Sequence, residues 1–242
     1  MGLLAWTPTI LPPQGQPTLG VNYLQASQAS VVVTVAMDPP IEIELHQDMA
    51  VGVGGVLWNC GRALIQVLCR CPEYVRSCRV LELGSGTGGV GLAAAHLKPT
   101  TLLLTDLASI VPLTLRNTKA AVAASAPVEK LWSKQALCVG VYQWGTKPPH
   151  AGPWDTILCA DCLYDEAVFT DFTATLHDVV GPPTTVLLAY KQRLPEREMA
   201  LLECLAETFE IAVYTNDDDL PWNYENDMVY VLVLRRKLNS TG

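Results

Sequence analysis

The sequence predicts an α/β fold, a sheet with helices on both faces. Strand-like and helix-like segments alternate from Val80 to the carboxyl end. A glycine-rich stretch, Gly84 to Gly89, separates a strand from a helix, and an acidic residue, Asp106, ends the next strand. The 242 residues are 50% apolar and 17% charged, enough to build a sizeable core and too apolar for disorder.

Taken in order, residues 1 to 28 are rich in Pro, Gly and Gln and read as a loosely held lead-in. Val31–Val35 and Ile41–Leu45, separated by Asp38-Pro39-Pro40, read as a short β-hairpin. Leu57, Cys60, Leu64 and Leu68 recur at helical spacing after a glycine turn, and Pro72 ends that helix. Val80–Leu83 is a buried-type strand, Gly88–Leu97 a helix, and Leu102–Thr105 a strand. A helix follows from Ala108 to about Ala124, with Val111, Leu115 and Val122 on one side. Ala136–Val139, Thr156–Ala160 and Val186–Tyr190 are further strands. Two helices carry Phe169, Phe172, Leu176 and Val179, then Met199, Leu202, Ala206 and Phe209, in step. Glu210–Tyr214 and Met228–Leu234 close the chain as strands. No linker separates a second domain, so residues 1–45 are expected to form an amino-terminal extension with the hairpin and residues 46–242 the main domain.

Charge narrows the partners. A net charge of -8 lacks the basic footprint that neutralises a phosphate backbone, so no direct nucleic-acid ligand is expected. No apolar run approaches the roughly 18 residues a spanning helix needs, so no membrane association is expected. The amino terminus, Met1-Gly2-Leu3-Leu4-Ala5-Trp6, has no basic n-region, and a cytoplasmic or nuclear location with reduced thiols is expected for the eight irregularly spaced cysteines. The four histidines are scattered, and no metal site is expected. Cys159 and Cys162 spell C-x-x-C, but an extended strand should point them to opposite faces, which argues against a redox pair.

Gly84-Ser85-Gly86-Thr87-Gly88-Gly89 spells G-x-G-x-x-G between a strand and a helix, where the backbone can turn tightly and a ligand can approach it. Val90-Gly91 follow, not the Lys and Ser or Thr of a P-loop. Leu83 and Thr87 flank Ser85 at the positions where a nucleophile elbow needs glycines. A dinucleotide site and an adenosyl-sulfonium site remain. Asp106, 22 positions after Gly84, can accept ribose hydroxyl protons in either. Glu82 favours the second, because a carboxylate suits an amino group and a sulfonium better than a pyrophosphate.

Glu82-Leu83-Gly84-Ser85-Gly86-Thr87-Gly88, followed by Thr105-Asp106-Leu107, resembles the first two motifs of class I methyltransferases that use S-adenosylmethionine. Gly54-Gly55-Val56-Leu57-Trp58, Gln143-Trp144-Gly145, Ala160-Asp161-Cys162-Leu163-Tyr164 and Leu188-Ala189-Tyr190-Lys191-Gln192-Arg193 narrow the resemblance. They are similar to family 16, the methyltransferase-like 21 group of mostly lysine-specific protein methyltransferases. The resemblance, which runs from about Leu45 to the end, implies a Rossmann-like seven-strand sheet, to which the hairpin adds a small amino-terminal β extension. It also implies S-adenosylmethionine as cofactor, S-adenosylhomocysteine as product, and a monomeric enzyme acting on a lysine of a protein.

By the same resemblance, Gly84, Ser85 and Gly86 would line the methionine part of the cofactor and Asp106 the ribose. Trp144 and Ala160 would border the adenine and Trp58 would close the pocket. Asp161 and Tyr164 would face the acceptor. Asn59 stands where the family more often has Pro or Asp, and Gln143 where an acidic residue is common. Trp58 and Trp144 read without the resemblance are ordinary half-buried aromatics, and Asp161 could be a helix cap, although Asp165 is better placed for one. The run Asp217-Asp218-Asp219 with Glu225 and Asp227 is either a solvated loop or an attractor for a basic substrate segment.

A lysine amine must be neutral to accept a methyl, which costs about 4 to 5 kcal/mol at pH 7 from a pKa near 10.4. Asp161 is therefore cast as aligning the ammonium and not as a strong base, with Tyr164 walling the amine. Two other readings compete: an interaction module that binds cofactor without catalysis, and a dinucleotide-dependent oxidoreductase.

Overall fold

The computed structural model describes residues 3–6, 26–150, 152–193, 195–214, 222–224 and 227–237. Its strands are β1 (Leu3–Ala5), β2 (Ser30–Val35), β3 (Ile41–His46), β4 (Arg79–Leu83), β5 (Thr101–Asp106), β6 (Leu137–Val141), β7 (Thr156–Ala160), β8 (Thr185–Lys191), β9 (Phe209–Tyr214), β10 (Trp222–Tyr224) and β11 (Asp227–Arg236). Its helices are α1 (Asn59–Arg70), α2 (Gly89–His96), α3 (Val111–Ala124), α4 (Ala126–Ser133), α5 (Phe169–Val179) and α6 (Pro195–Thr208).

The main sheet runs β1-β9-β11-β8-β7-β4-β5-β6, with β10 paired to β11. Strands β6, β5, β4, β7 and β8 are parallel neighbours, and β11 inserts antiparallel between β8 and β9. The path from β6 to β9 is the Rossmann-like seven-strand sheet expected from the resemblance. Chain order reverses on either side of β4, which leaves a crevice at the carboxyl ends of β4 and β7, where ligands bind in open sheets of this kind.

Alternation within each strand builds a core on each face. Val80, Leu102, Leu104, Leu158 and Leu187 turn towards α1, α2 and α3, whereas Leu81, Leu83, Leu103, Ile157 and Leu188 turn towards α5 and α6. Leu83, Leu102 and Leu104 are fully buried, each worth about 1.5–3 kcal/mol relative to exposure. The separate β2–β3 hairpin places Val33, Val35, Ile43 and Leu45 in the first of these cores, packing on α1, α2 and α3.

Several elements depart from expectation. The lead-in contributes an edge strand, with Leu3 to Ala5 pairing antiparallel to Tyr214 to Ala212 of β9. Helix α4, opened by Pro127 and anchored by buried Val128, is additional. Helix α3 buries a different face from the one expected: Leu113, Thr114, Asn117, Thr118 and Ala121 point inward. Polar side chains on that face find backbone partners, so apolar periodicity misplaces it by part of a turn. Asp217, Asp218, Asp219 and Glu225 lie outside the described residues, as does the side chain of Asp227.

Candidate functional site

A cavity of about 1080 Å³ opens at the carboxyl ends of β4, β5, β7 and β8. It is lined by all ten residues expected to hold the cofactor or face the acceptor: Trp58, Glu82, Gly84, Ser85, Gly86, Asp106, Trp144, Ala160, Asp161 and Tyr164.

The floor is the loop between β4 and α2. Gly84 and Gly86 take φ of 68° and 53°, a region that a side chain disfavours. A Cβ at Gly86 would also lie 2.8 Å from the Gly54 carbonyl oxygen, so the loop preceding α1 can close over this turn only because Gly86 lacks one. From below, Thr114 Oγ1 donates to the Gly86 carbonyl at 2.6 Å and Asn117 Nδ2 donates to the Thr87 carbonyl at 2.9 Å. Asn117 also exchanges hydrogen bonds with both backbone groups of His46, at 2.8 and 3.0 Å. One buried amide therefore ties the glycine loop to the end of the β2–β3 hairpin.

Asp106 sits at the end of β5, its Oδ2 accepting the Gly86 N–H and its Oδ1 the Leu107 N–H, each at 2.7 Å. Burial raises its pKa, opposed by those two amides. A carboxylate has about four acceptor positions, so positions remain for a diol in the cavity. Glu82 is 2% exposed, and burial lifts its pKa well above the ordinary carboxyl value, helped by nearby Asp106 and opposed by the Gly91 N–H. Glu82 Oε2 and Ser85 Oγ are buried without a hydrogen-bond partner. Unsatisfied polar atoms on a cavity wall fit a ligand that carries both an ammonium and a carboxylate. Trp144 packs edge-on against Phe172, centroids 5.1 Å apart, and its ring borders Gly84. Trp58, also on the cavity lining, is fixed by Nε1 donating to the Val53 carbonyl at 2.8 Å.

On the far side, Asp161 follows β7 with a φ of 60°, its N–H donating to the Ala189 carbonyl at 2.8 Å. Arg193 was not among the expected site residues, yet its guanidinium donates to both oxygens of Asp161, at 2.7 and 2.9 Å. Arg193 stands in the stretch after β8 that carries the resemblance, so a signal for it existed, but its partner lies 32 residues away. Asp161 is therefore a carboxylate paired with a guanidinium. It does not cap a helix: Asp165 does, its Oδ1 accepting the Ala167 N–H at 2.9 Å. Tyr164 is 43% exposed at the rim.

The left-handed turn at Asp161 corrects one expectation. It returns Cys162 to the same face as Cys159, so the two buried thiols share a core cluster, and Cys162 Sγ donates to the Leu83 carbonyl at 3.4 Å. Both are free, and the neighbouring Cys159 side chain, with burial, pushes the Cys162 thiol well up. A neutral thiol is a poor nucleophile, so the case against redox chemistry rests on this environment and not on opposed faces. Among the described residues no cluster of His, Cys, Asp and Glu could hold a metal, and no helix is long and apolar enough to cross a membrane.

A family model described as lysine methyltransferase matches residues 37–208. Protein N-lysine methyltransferase METTL21A of Mus musculus is 31% identical over 173 residues, 70% of this chain and 75% of the relative. EEF1A lysine methyltransferase 3 of Mus musculus is 30% identical over 185 residues, 75% of this chain and 76% of the relative. Protein-lysine N-methyltransferase EFM6 of Saccharomyces cerevisiae is 32% identical over 163 residues, 59% of this chain and 65% of the relative. Among solved structures, TrmN from Thermus thermophilus aligns with a TM-score of 0.52 at 22% identity, covering 72% of this chain and 49% of that one. Magnesium protoporphyrin IX methyltransferase from Synechocystis PCC 6803 with bound S-adenosylhomocysteine aligns with a TM-score of 0.51 at 12% identity, covering 74% of this chain and 83% of that one. At these identities the two structures speak to the fold.

Proposed function

The chain belongs to the lysine methyltransferase family, and from that premise we propose that its cavity holds S-adenosylmethionine and receives a lysine side chain of a protein substrate. The observation that carries the reading is the convergence of the glycine loop, Asp106, Glu82 and the Asp161–Tyr164 stretch on one cavity. Residues 46–242 form the methyltransferase domain in this reading, with residues 1–45 as its extension.

The cofactor supplies an electrophilic methyl group on a sulfonium. Asp106 accepts from the ribose, while Gly84, Ser85, Gly86 and Glu82 hold the methionine part, Ser85 Oγ and Glu82 Oε2 gaining the partners they lack. Trp144 and Ala160 border the adenine, and Trp58 closes the opening. Asp161 and Tyr164 receive the acceptor amine. Arg193 uses one acceptor position on each Asp161 oxygen and leaves others for an amine N–H, so Asp161 aligns the nucleophile while the proton leaves to water.

The substrate is a protein, and the net charge of -8 favours one that presents its lysine in a basic segment. The protein acts as a monomer without nucleic acid, in the cytoplasm or nucleus, where its free thiols stay reduced. Incubation with methyl-labelled S-adenosylmethionine and cell lysate tests this function. Label on a lysine of a discrete protein is expected, and label confined to another residue type or to nucleic acid overturns the reading.

A further inference from the structure

Arg193 is tied down at both ends. Its backbone N–H donates to Oε1 of the fully buried Glu198 at 2.8 Å, and its guanidinium grips Asp161 as a two-pronged fork. The Asp161 side chain is 8% exposed and that of Arg193 31%, so Arg193 is the partner with more access to solvent. Both line the cavity alongside Tyr164. A carboxylate alone at the acceptor end would hold an incoming lysine as its ammonium, the form that cannot accept a methyl. A carboxylate already paired with a guanidinium contributes almost no net charge, yet it still offers an oxygen to a neutral amine.

We propose that Arg193 is a positioning residue for the methyl acceptor: it fixes Asp161 in one orientation and offsets its charge, so that the amine Asp161 aligns is delivered neutral. This rests on the lysine methyltransferase reading above. The other ionisable groups near the pair are Glu198 beneath Arg193, Cys60 at the start of α1, Lys191 at the end of β8, Cys162 and Tyr164 on the stretch that carries Asp161, and Asp106 at the end of β5. Arg193 grips both oxygens of Asp161, so its charge reaches the amine through that carboxylate.

The test is the pH profile of kcat for Arg193→Gln and Arg193→Lys, with the full-length enzyme, labelled S-adenosylmethionine and the acceptor protein isolated by the lysate labelling. Arg193→Gln should bind S-adenosylhomocysteine within about threefold of wild type while kcat near pH 7 falls about tenfold or more, with KM for the acceptor unchanged or lower. Its rise with pH should be displaced upward by about one unit, so that the rate approaches wild type near pH 10. Arg193→Lys, which keeps the charge but loses the fork, should keep the wild-type pH dependence at a lower kcat. Should Arg193→Gln fail to bind cofactor, Asp161→Asn combined with Arg193→Gln removes both charges and should return the profile to its wild-type position at a low rate. A profile lowered by one factor at every pH, unchanged in the single variant or still displaced in the double, overturns the proposal. A wild-type enzyme that labels no lysine is instead a failure of the functional reading.

Discussion

The Asp106 carboxylate accepts the Gly86 N–H at 2.7 Å, so the acidic end of β5 and the turn after β4 are braced against each other. Asp106 consequently has two duties, holding the glycine turn and facing the cavity. Replacing it with Ala should weaken S-adenosylhomocysteine binding by about 1.5 to 3 kcal/mol, the worth of charge-assisted hydrogen bonds. Asp106→Asn should lose less, because the amide oxygen can still accept from Gly86. Calorimetry that returns wild-type affinity for Asp106→Ala would remove this residue from the cofactor site.

Asn117 offers a test of the support beneath the loop. It is fully buried and makes hydrogen bonds to His46 and Thr87. Asn117→Ala leaves the buried Thr87 carbonyl and the partly buried His46 backbone groups without this partner, and an orphaned buried group costs about 1 to 3 kcal/mol. Urea unfolding should therefore show a clear loss of stability, with cofactor affinity lowered several-fold because the glycine turn loosens. Unchanged stability would mean that water replaces the amide without cost.

Glu82 makes stability depend on pH. Its folded pKa is raised by burial, so between the ordinary carboxyl value and the raised one the folded chain binds more protons than the unfolded chain. Its stabilising contribution is therefore complete at acid pH and declines as pH rises through that window. Glu82→Gln should be more stable than wild type near neutral pH and should flatten the decline, while binding S-adenosylhomocysteine more weakly. Melting curves across pH that fall as steeply in Glu82→Gln as in wild type would assign the dependence elsewhere.

Asp161→Ala separates binding from chemistry. Cofactor affinity should stay within a few-fold, whereas methyl transfer should drop by about 100-fold or more, as expected for a lost positioning group. Asp161→Asn should also fail, since it removes the charge that Arg193 pairs with. The unpaired guanidinium should lower stability as well, by about 1 to 3 kcal/mol given its partial access to solvent. Activity per folded molecule separates the two effects, and near-normal single turnover in Asp161→Ala defeats the acceptor assignment.

The alternation of strands and helices, the glycine turn after β4, Asp106 at the end of β5 and Asp161 at the end of β7 all follow from local sequence. Each is dictated by near neighbours along the chain, and in a parallel sheet the carboxyl ends of adjacent strands necessarily meet. Trp58 and Tyr164, by contrast, are assigned to one site by the resemblance to the methyltransferase family, since Trp58 by its spacing alone reads as an ordinary half-buried aromatic. Tertiary structure alone decided the buried polar face of α3, the shared face of Cys159 and Cys162, and the grip of Arg193 on Asp161. A polar side chain is buried or exposed according to which backbone groups fold against it, and Thr114 and Asn117 meet carbonyls some 30 residues away. Pairing of Arg193 with Asp161 likewise depends on a left-handed turn after β7 meeting the exit of β8, a geometry that exists only once the sheet has formed.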